Sequence, residues 1–164
     1  MIFIDMDGTL AKMFKTPNYL EAMYEEGFFA GLKPYDWVRY LNNYAKTRDD
    51  IYILSACVES DFCENEKRFW LRTYLPNIPE KNYIFCKVGE NKALKVWETI
   101  GEKPGYNILI DDYSKNLYEW QMTDRNYISI KFVNEINNKS GHNYRYIIKG
   151  FADFVRTIDK IERA

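Results

Sequence analysis

Three short apolar runs, each ending in polar residues, constrain the fold of this chain more than any other feature. The runs with their polar ends are Ile2-Phe3-Ile4 before Asp5-Met6-Asp7-Gly8-Thr9, Ile51-Tyr52-Ile53-Leu54 before Ser55, and Asn107-Ile108-Leu109-Ile110 before Asp111-Asp112. An apolar run of this length that stops in a polar turn is typical of a strand buried on both faces of a parallel sheet. The pattern therefore predicts at least three such strands.

Segments with helical spacing lie between the apolar runs. Two weaker strand patterns occupy 83–85 and 127–130, and helical patterns occupy 59–74, 91–100, 114–122 and 151–161. Strands that alternate with helices form parallel sheets whose two faces are both covered. We therefore expect an α/β fold, a three-layer Rossmann-like parallel sheet with helices on both faces.

The stretch between the first two strands is too long for a plain crossover. It carries two helical patterns, near 19–26 and 34–45. The second can serve as the crossover, which leaves 12–33 as a small helical cap inserted after the first strand. A chain of 164 residues suits one domain of ordinary size, so we expect a single domain over 1–164 with this cap inside it.

Charge and cysteine content narrow the class of protein. The chain has 23 basic and 24 acidic side chains, and a net charge of -1 gives no global field to hold nucleic acid, so a small-molecule ligand is expected. Cys57, Cys63 and Cys86 form no CxxC pair, which suits reduced thiols. The sequence shows neither a secretory leader nor an apolar stretch of membrane-spanning length. We therefore expect a cytoplasmic location and no membrane partner.

Acidic residues dominate the ends of the predicted strands. In open parallel sheets, ligands bind beyond the carboxyl ends of the strands. The polar residues at those ends are Asp5, Asp7, Ser55, Asp111 and Asp112. Four carboxylates in one crevice repel one another unless protons or cations lie among them. Because all the ligands are oxygens, the cation that this pattern favours is Mg²⁺.

The two acids of the first motif can take different catalytic roles. Asp5 and Asp7 are two residues apart, which places both side chains on one side of an extended chain, so one can attack while the other handles protons. An aspartate carboxylate that attacks phosphorus gives an aspartyl phosphate, which water later hydrolyses. Mg²⁺ and a lysine ammonium can offset the charge of the phosphate.

Each of these residues also has a purely structural interpretation. The Asp-x-Asp-Gly-Thr string alone suits a surface turn, and Asp112 or Ser55 alone suits the N-cap of the helix that follows it. Two lysines, Lys87 and Lys92, lie between the third strand and the next helix, and either suits a solvated charge. The order of the motifs along the chain favours the catalytic interpretation, with Lys92 as the lysine of the site.

The motifs resemble those of the haloacid dehalogenase superfamily. Asp5-Met6-Asp7-Gly8-Thr9-Leu10 looks like its first motif, and Ser55, Lys92 and Asp111-Asp112 follow in the order of the later motifs. Further similarity to 5'(3')-deoxyribonucleotidase-like proteins lies in three stretches. These are Gly27-Phe28-Phe29 with Leu32 and Pro34, Ile53-Leu54-Ser55-Ala56, and Leu109-Ile110-Asp111-Asp112-Tyr113 with Asn116-Leu117.

This resemblance implies a Mg²⁺-dependent phosphatase that acts on nucleoside monophosphates. It implies that Asp5 is the nucleophile, Asp7 the general acid and base, and that Ser55 and Lys92 contact phosphate. The implied metal ligands are Asp5, the Asp7 backbone carbonyl and Asp111, with Asp112 acting through water. Rival interpretations are a phosphatase for a sugar phosphate or for a nucleic-acid 3'-phosphate, and a non-catalytic binding protein of the same fold.

Two further expectations come from aromatic and histidine residues. Phe28 and Phe29 lie in a connection flanked by Gly27 and Gly31, so they are the aromatic residues expected to contact the ligand. The other aromatic residues of the cap are expected to fill its core. His142 lies in a polar stretch, where a surface role is expected.

Overall fold

The computed structural model describes residues 1–138 and 143–164. In the described residues the strands are β1 (Ile2–Ile4), β2 (Ile51–Cys57), β3 (Tyr83–Lys87), β4 (Asn107–Asp111), β5 (Tyr127–Phe132) and β6 (Ile147–Ile148). The α-helices are α1 (Tyr19–Ala22), α2 (Val38–Tyr44), α3 (Cys63–Tyr74), α4 (Lys92–Ile100), α5 (Ser114–Gln121) and α6 (Phe151–Glu162), and short 3-10 helices occupy Met13–Lys15, Ala45–Thr47 and Glu80–Asn82. His142 lies outside the described residues.

The strands form one parallel sheet in the order β3-β2-β1-β4-β5-β6. β1 lies at the centre, where Ile4 pairs with Ile53 of β2 on one side and with Ile110 of β4 on the other. Because every pairing is parallel, the carboxyl ends of all the strands lie along one edge of the sheet. The residues that follow β1 and end β4 are therefore neighbours in space.

Alternation along β1 divides the core between the two faces of the sheet. Ile2 and Ile4 belong to a cluster with the apolar faces of α2, α3 and α6, whereas Phe3 belongs to a cluster with α4 and α5. Side chains on a strand point alternately to opposite faces, so three residues suffice to enter both clusters. Fully burying each such side chain stabilises the fold by about 1.5–3 kcal/mol. The result is a three-layer α/β sandwich, which confirms the predicted fold class.

The structure differs from the sequence-based elements in three places. β2 continues past Ser55 to Cys57, because Ala56 and Cys57 pair with β3. The helix expected near 19–26 has only four residues, α1, after which the chain runs through turns to residue 32. β6 was not predicted, since a two-residue strand has no usable alternation.

The segment 12–33 follows the turn after β1, and its residues Met13, Phe14 and Tyr19 lie around the same cavity as Asp5. Its second half is held by Glu66 of α3, whose carboxylate accepts hydrogen bonds from the backbone N–H groups of Gly27, Phe29 and Ala30. Trp70 of the same helix donates its indole N–H to the Leu32 carbonyl at 2.7 Å. Over the described part of the chain, no helix combines the length and apolar character needed to cross a membrane.

Candidate active site

The turn after β1 brings the first acidic motif to the sheet edge. The Asp5 N–H donates to the Ile110 carbonyl at 2.9 Å, which continues the pairing of β1 with β4 by one residue. The chain then folds back on itself, and the N–H groups of Leu10 and Ala11 donate to the Met6 carbonyl at 2.8 Å each. This turn fixes the position of Asp5 relative to the end of β4.

Gly8 is required at its place in this turn. Its φ of +79° lies in the left-handed region, and an added Cβ would come within 2.4 Å of Phe14 Cε2 and 2.7 Å of Asp112 Oδ2. Glycine alone avoids both the steric clash and the unfavourable backbone conformation. The Gly8 carbonyl accepts a hydrogen bond at 2.9 Å from Asn134, whose amide also donates to Asp112 at 2.9 Å. The turn is thus tied to the loop after β5.

Lys92 is held at the centre of the acidic residues by the start of α4. The Asn91 side chain caps this helix, accepting from the N–H groups of Ala93 and Leu94, and such a cap contributes about 1 kcal/mol. Lys92 is buried, and its Nζ donates to Asp5 Oδ1 at 2.6 Å and Asp111 Oδ2 at 2.7 Å. Lys87 is exposed. The structure therefore places Lys92, and not Lys87, against the acidic residues.

Asp111 and Asp112 have different surroundings. Asp111 is fully buried, and besides Lys92 its carboxylate accepts from the Tyr113 N–H at 2.8 Å and the Asn116 amide at 2.9 Å. Asp112 accepts from Asn134 and, at 3.4 Å, from the Thr9 hydroxyl. No side-chain hydrogen bond caps α5, so Asp112 is not its N-cap.

Asp5, Asp111 and Asp112 each contribute one carboxylate oxygen to a cluster in which these oxygens lie within 4.8 Å of one another. Burial, opposed in part by Lys92, raises the pKa of Asp5 to about 7. Burial, together with the charges of Asp111 and Asp5, raises the pKa of Asp112 well above its ordinary value. Burial alone would lower the pKa of Lys92, but attraction to Asp111 and Asp5 outweighs it, so this pKa is raised. One lysine therefore does not neutralise the three carboxylates, and the donor set fits a divalent cation.

Asp7 is paired with a lysine that the sequence did not single out. The fully buried Lys67 of α3 donates from Nζ to Asp7 Oδ2 at 2.5 Å, the Ala56 carbonyl at 2.5 Å and the Ser55 hydroxyl at 3.0 Å. Burial alone would lower the pKa of Lys67, but attraction to Asp7, Cys63 and Cys57 and the hydrogen bond to Asp7 together outweigh it, so the pKa is raised. Among the described residues, Asp7 Oδ1 is one of two buried side-chain oxygens without a hydrogen-bond partner.

Ser55 lies in β2, where its hydroxyl is next to Lys67. Its side chain is fully buried, and its hydroxyl accepts from Lys67 beneath the sheet edge, while the neighbouring Ala56 lines the cavity. The Ser55 hydroxyl therefore lies against Lys67, and Ser55 is not among the described residues that line the cavity. Ser55 is not a helix cap either, because Ser60 accepts from the first N–H groups of α3.

A cavity of about 550 Å³ opens above the acidic residues. Its walls include apolar and aromatic side chains from the cap and the surrounding loops, namely Met13, Phe14, Tyr19, Val88, Tyr113 and Ile136. The rings of Phe14 and Tyr19 pack edge to face, with centroids 5.0 Å apart. The cavity thus has an acidic floor and a wall that is partly aromatic.

Phe28 and Phe29 are not among the described residues that line this cavity. Phe29 is 1% exposed, and its ring lies beneath Lys67, with Nζ 4.6 Å from the ring centroid. Phe28 is half-buried and packs edge-on against Phe29. The structure therefore places neither ring on the cavity wall, and it buries Phe29 in the core. The aromatic residues of segment 12–33 that line the cavity are Phe14 and Tyr19.

Solved structures with the same fold include a hydrolase and a domain of an effector protein. A haloacid dehalogenase-like family protein, SP0104 from Streptococcus pneumoniae, superposes with a TM-score of 0.65 at 11% identity, over 96% of this chain and 97% of that one. The HAD domain of effector protein Lem4 from Legionella pneumophila gives a TM-score of 0.54 at 18% identity, over 98% and 93% of the chains. Its inactive mutant gives 0.52 at 18% identity, over 98% and 92%. At these identities the likeness shows the fold.

The family assignment comes from the sequence. No curated protein matches the chain in sequence. The profile of the family described as "5' nucleotidase, deoxy (Pyrimidine), cytosolic type C protein" matches residues 12–153, a stretch that includes Lys92 and the Asp111-Asp112 pair and begins just after the first acidic motif. Because this match covers most of the chain, the chain belongs to the cytosolic type C 5'-deoxynucleotidase family, and it is a haloacid dehalogenase-type hydrolase.

Proposed function

We propose that this protein is a Mg²⁺-dependent phosphatase that releases phosphate from nucleoside monophosphates through an aspartyl phosphate on Asp5, in the manner of a 5'(3')-deoxyribonucleotidase. One observation carries the proposal. Asp5 lies on the floor of the cavity, hydrogen-bonded to Lys92 and grouped with two further carboxylates at the carboxyl edge of the sheet. This is where ligands bind in open parallel sheets.

The carboxylates of Asp5 and Asp112, with the Asp7 backbone carbonyl, would hold the metal ion. Asp112 is a better direct ligand than Asp111, whose oxygens already accept three hydrogen bonds. This exchanges the roles that the resemblance implied for the two residues of the pair. A bound Mg²⁺ supplies positive charge next to the transferring phosphoryl group.

Asp5 and Lys92 carry the transfer itself. The Asp5 carboxylate attacks phosphorus in line with the ester oxygen, and the P–O bond to the alcohol breaks as the aspartyl phosphate forms. The Lys92 ammonium has three N–H donors. Two of them bond to Asp5 and Asp111, which leaves the third for a phosphate oxygen. In the second step water attacks the same phosphorus, releasing inorganic phosphate and restoring the carboxylate.

Asp7 supplies the proton for the leaving alcohol and later takes one from the attacking water. It lines the cavity, and its Oδ1 has no hydrogen-bond partner among the described residues. Lys67 acts as a positioning residue, because its bonds to Asp7, Ala56 and Ser55 fix the Asp7 carboxylate in one orientation. The role of Lys67 can be tested by comparing substrates whose leaving groups do and do not need a proton.

Replacing Lys67 by Met should lower kcat/KM for nucleoside monophosphates by about 10²-fold, the lower end of what general acid–base catalysis contributes. The loss on p-nitrophenyl phosphate should be much smaller, because p-nitrophenolate leaves without a proton. Arg68→Met, in the next position of the same helix, is the matched control and should change neither substrate. An equal loss on both substrates would show that Lys67 supports the fold and not the proton transfer.

The cavity wall supports a nucleoside as the alcohol portion of the substrate. Phosphate and metal contacts are common to all phosphomonoesters, so selectivity must come from the wall. Stacking of a base on an aromatic ring such as Phe14 or Tyr19 is worth roughly 1–3 kcal/mol. No comparable gain is available to a sugar phosphate.

A substrate panel tests this function directly. Purified protein with Mg²⁺ should release phosphate from nucleoside monophosphates with kcat/KM at least about tenfold above that for sugar phosphates. Tyr19→Ala should reduce this preference without lowering turnover of p-nitrophenyl phosphate. A preference for sugar phosphates or for a nucleic-acid 3'-phosphate would assign the same chemistry to another substrate. Release of no phosphate from any ester would leave a binding protein of this fold.

The metal site has its own test, which does not depend on turnover. The pKa of Asp5 is about 7, above its ordinary value of 3.8, so the folded, metal-free protein binds more protons than the unfolded chain between these values. Its stability therefore falls as pH rises through this window. Mg²⁺ binds the ionised carboxylates, so its stabilising effect should be greater at pH 8 than at pH 5.

Thermal unfolding with Mg²⁺ or with EDTA measures this difference. At about 100 times its Kd, a metal ion adds about 2.7 kcal/mol, which corresponds to roughly 5–10 °C in Tm for a domain of this size. We expect that shift at pH 8, a smaller one at pH 5, and none for Asp112→Asn. A shift of equal size at both pH values would place the metal away from these carboxylates.

A further inference from the structure

A second cavity, formed by the chain between β1 and α2 and by the start of α6, is separate from the catalytic one. Its volume is about 550 Å³, which lies within the range of small-molecule sites, and none of the described residues lines both cavities. The 3-10 helix Met13–Lys15 contributes to each of them, because Met13 and Phe14 line the catalytic cavity and Lys15 lines the second one. The two cavities are therefore neighbours that could hold different molecules.

The charged residues that line the second cavity are mostly basic. Lys12, Lys15 and Lys149 supply three ammonium groups against the single carboxylate of Asp36, so the lining carries a net charge of +2 in a chain whose net charge is -1. Lys12 Nζ lies 3.7 Å from Asp36 Oδ1, and the Asp36 side chain is 96% exposed. Within residues 1–138 and 143–164, no carboxylate pairs with Lys15 or Lys149. A local excess of positive charge favours an anionic ligand.

The remaining wall of the second cavity is largely aromatic, and its rings are held by contacts inside the protein. The four rings are those of Tyr35, Trp37, Tyr40 and Phe151. Trp37 donates its indole N–H to the Thr9 carbonyl at 3.0 Å, and the Tyr35 hydroxyl donates to Glu135 at 2.6 Å. The rings of Tyr40 and Phe151 are nearly parallel, with centroids 5.7 Å apart. Tyr40 is 47% exposed, so its ring keeps free surface for a ligand.

We propose that this second cavity binds a nucleoside di- or triphosphate, with its phosphates against the lysines and its base against the aromatic wall. Ammonium groups form strong, charge-assisted hydrogen bonds with phosphate oxygens, and a base of any kind can stack on an aromatic ring. Inorganic phosphate would use only the lysines, and a nucleoside without phosphate would use only the rings. A chain of two or three phosphates can contact more than one lysine at the same time.

Isothermal titration calorimetry of the full-length protein with ATP tests the lysines. EDTA is present throughout, so that no metal ion bridges ATP to the catalytic carboxylates. We expect one ATP per chain, and Lys15→Glu and Lys149→Glu should each raise the Kd at least about tenfold, because each removes a charge-assisted hydrogen bond. Lys46→Glu is the matched control, since Lys46 is exposed and lines neither cavity. It changes the net charge equally and should leave the Kd unchanged.

A second probe, inorganic triphosphate, tests the aromatic wall. Tyr40→Ala should raise the Kd for ATP by about tenfold and leave the Kd for inorganic triphosphate unchanged, because only ATP carries a base. Tyr19→Ala alters the catalytic cavity and should change neither Kd. Thermal unfolding of each variant checks that it is folded, as expected for substitutions of the exposed residues Lys15, Lys149 and Tyr40.

Several results would overturn the proposal. If ATP does not bind, or binds equally well to Lys15→Glu and Lys149→Glu, the second cavity is not its site. An equal loss in Lys46→Glu would mean that only the net charge of the protein matters. A loss in Tyr19→Ala would place ATP in the catalytic cavity, and an equal loss of both probes in Tyr40→Ala would exclude a contact with the base. None of these measurements depends on phosphatase activity, so they stand apart from the tests of the proposed function.

Discussion

Replacing Asp5 by Asn should abolish phosphate release, with a loss in kcat of at least about 10⁴-fold, as expected when a covalent nucleophile is removed. The amide is nearly isosteric with the carboxylate but cannot attack phosphorus. Turnover of p-nitrophenyl phosphate and of a nucleoside monophosphate should fall together, because both substrates need the same nucleophile. Rapid-quench trapping of phosphorylated protein should detect label on the unchanged protein only.

The fold should survive this substitution. Asn removes one of three clustered carboxylates, and Lys92 keeps its bond to Asp111, so the metal-free variant should unfold at or above the Tm of the unchanged protein at pH 8. Asp36→Asn is the matched control, since the Asp36 side chain is 96% exposed, and it should retain full activity. Turnover near the normal rate in Asp5→Asn would remove Asp5 from its role.

Replacing Lys92 by Met should lower kcat/KM by about 10²–10³-fold, which is the cost of losing one charge-stabilising donor in a catalytic site. Both KM and kcat should change, because the ammonium faces the phosphate in the bound state and in the transition state. The loss should be similar for nucleoside monophosphates and p-nitrophenyl phosphate, in contrast to Lys67→Met. Steady-state kinetics on the two substrates separates these roles.

The same variant should also lose stability. Lys92 is the shared partner of Asp5 and Asp111, and removing one partner of a buried ion pair costs about 3–5 kcal/mol. Mg²⁺ should restore part of this loss at pH 8, since it neutralises the same carboxylates. Lys87→Met is the matched control and should behave as the unchanged protein does. Loss of activity in Lys87→Met with none in Lys92→Met would reverse the assignment.

Lys67 shows why part of the site could not be predicted. It lies 60 residues after Asp7, in the middle of a helix whose sequence reads as an ordinary amphipathic segment. Helix propensity does not distinguish a buried lysine from a solvated one, since both suit a helix equally well. The available signal was its position one turn after Cys63, on a face with Trp70 and Leu71, where a charged residue is out of pattern.

The aromatic residues of the cap illustrate the same limit. Phe28 and Phe29 were chosen because glycines flank them, yet three backbone bonds to Glu66 pull that connection onto α3 and bury Phe29. Phe14 and Tyr19 were expected to be structural and instead line the cavity. Which ring faces a ligand depends on how the cap docks.

By itself, the sequence determined the alternation of strands and helices, the five longer strands, and the acidic residues at the carboxyl edge of the sheet. These features follow from local patterns, because a buried strand needs a run of apolar residues and a polar residue ends it. The tertiary structure alone decided that Lys92 reaches Asp5 and Asp111, that Lys67 pairs with Asp7, and that Asp112 has fewer competing contacts than Asp111. Each of these depends on helices packing against the sheet, and the contacts join residues 19 to 87 positions apart, which no local pattern encodes.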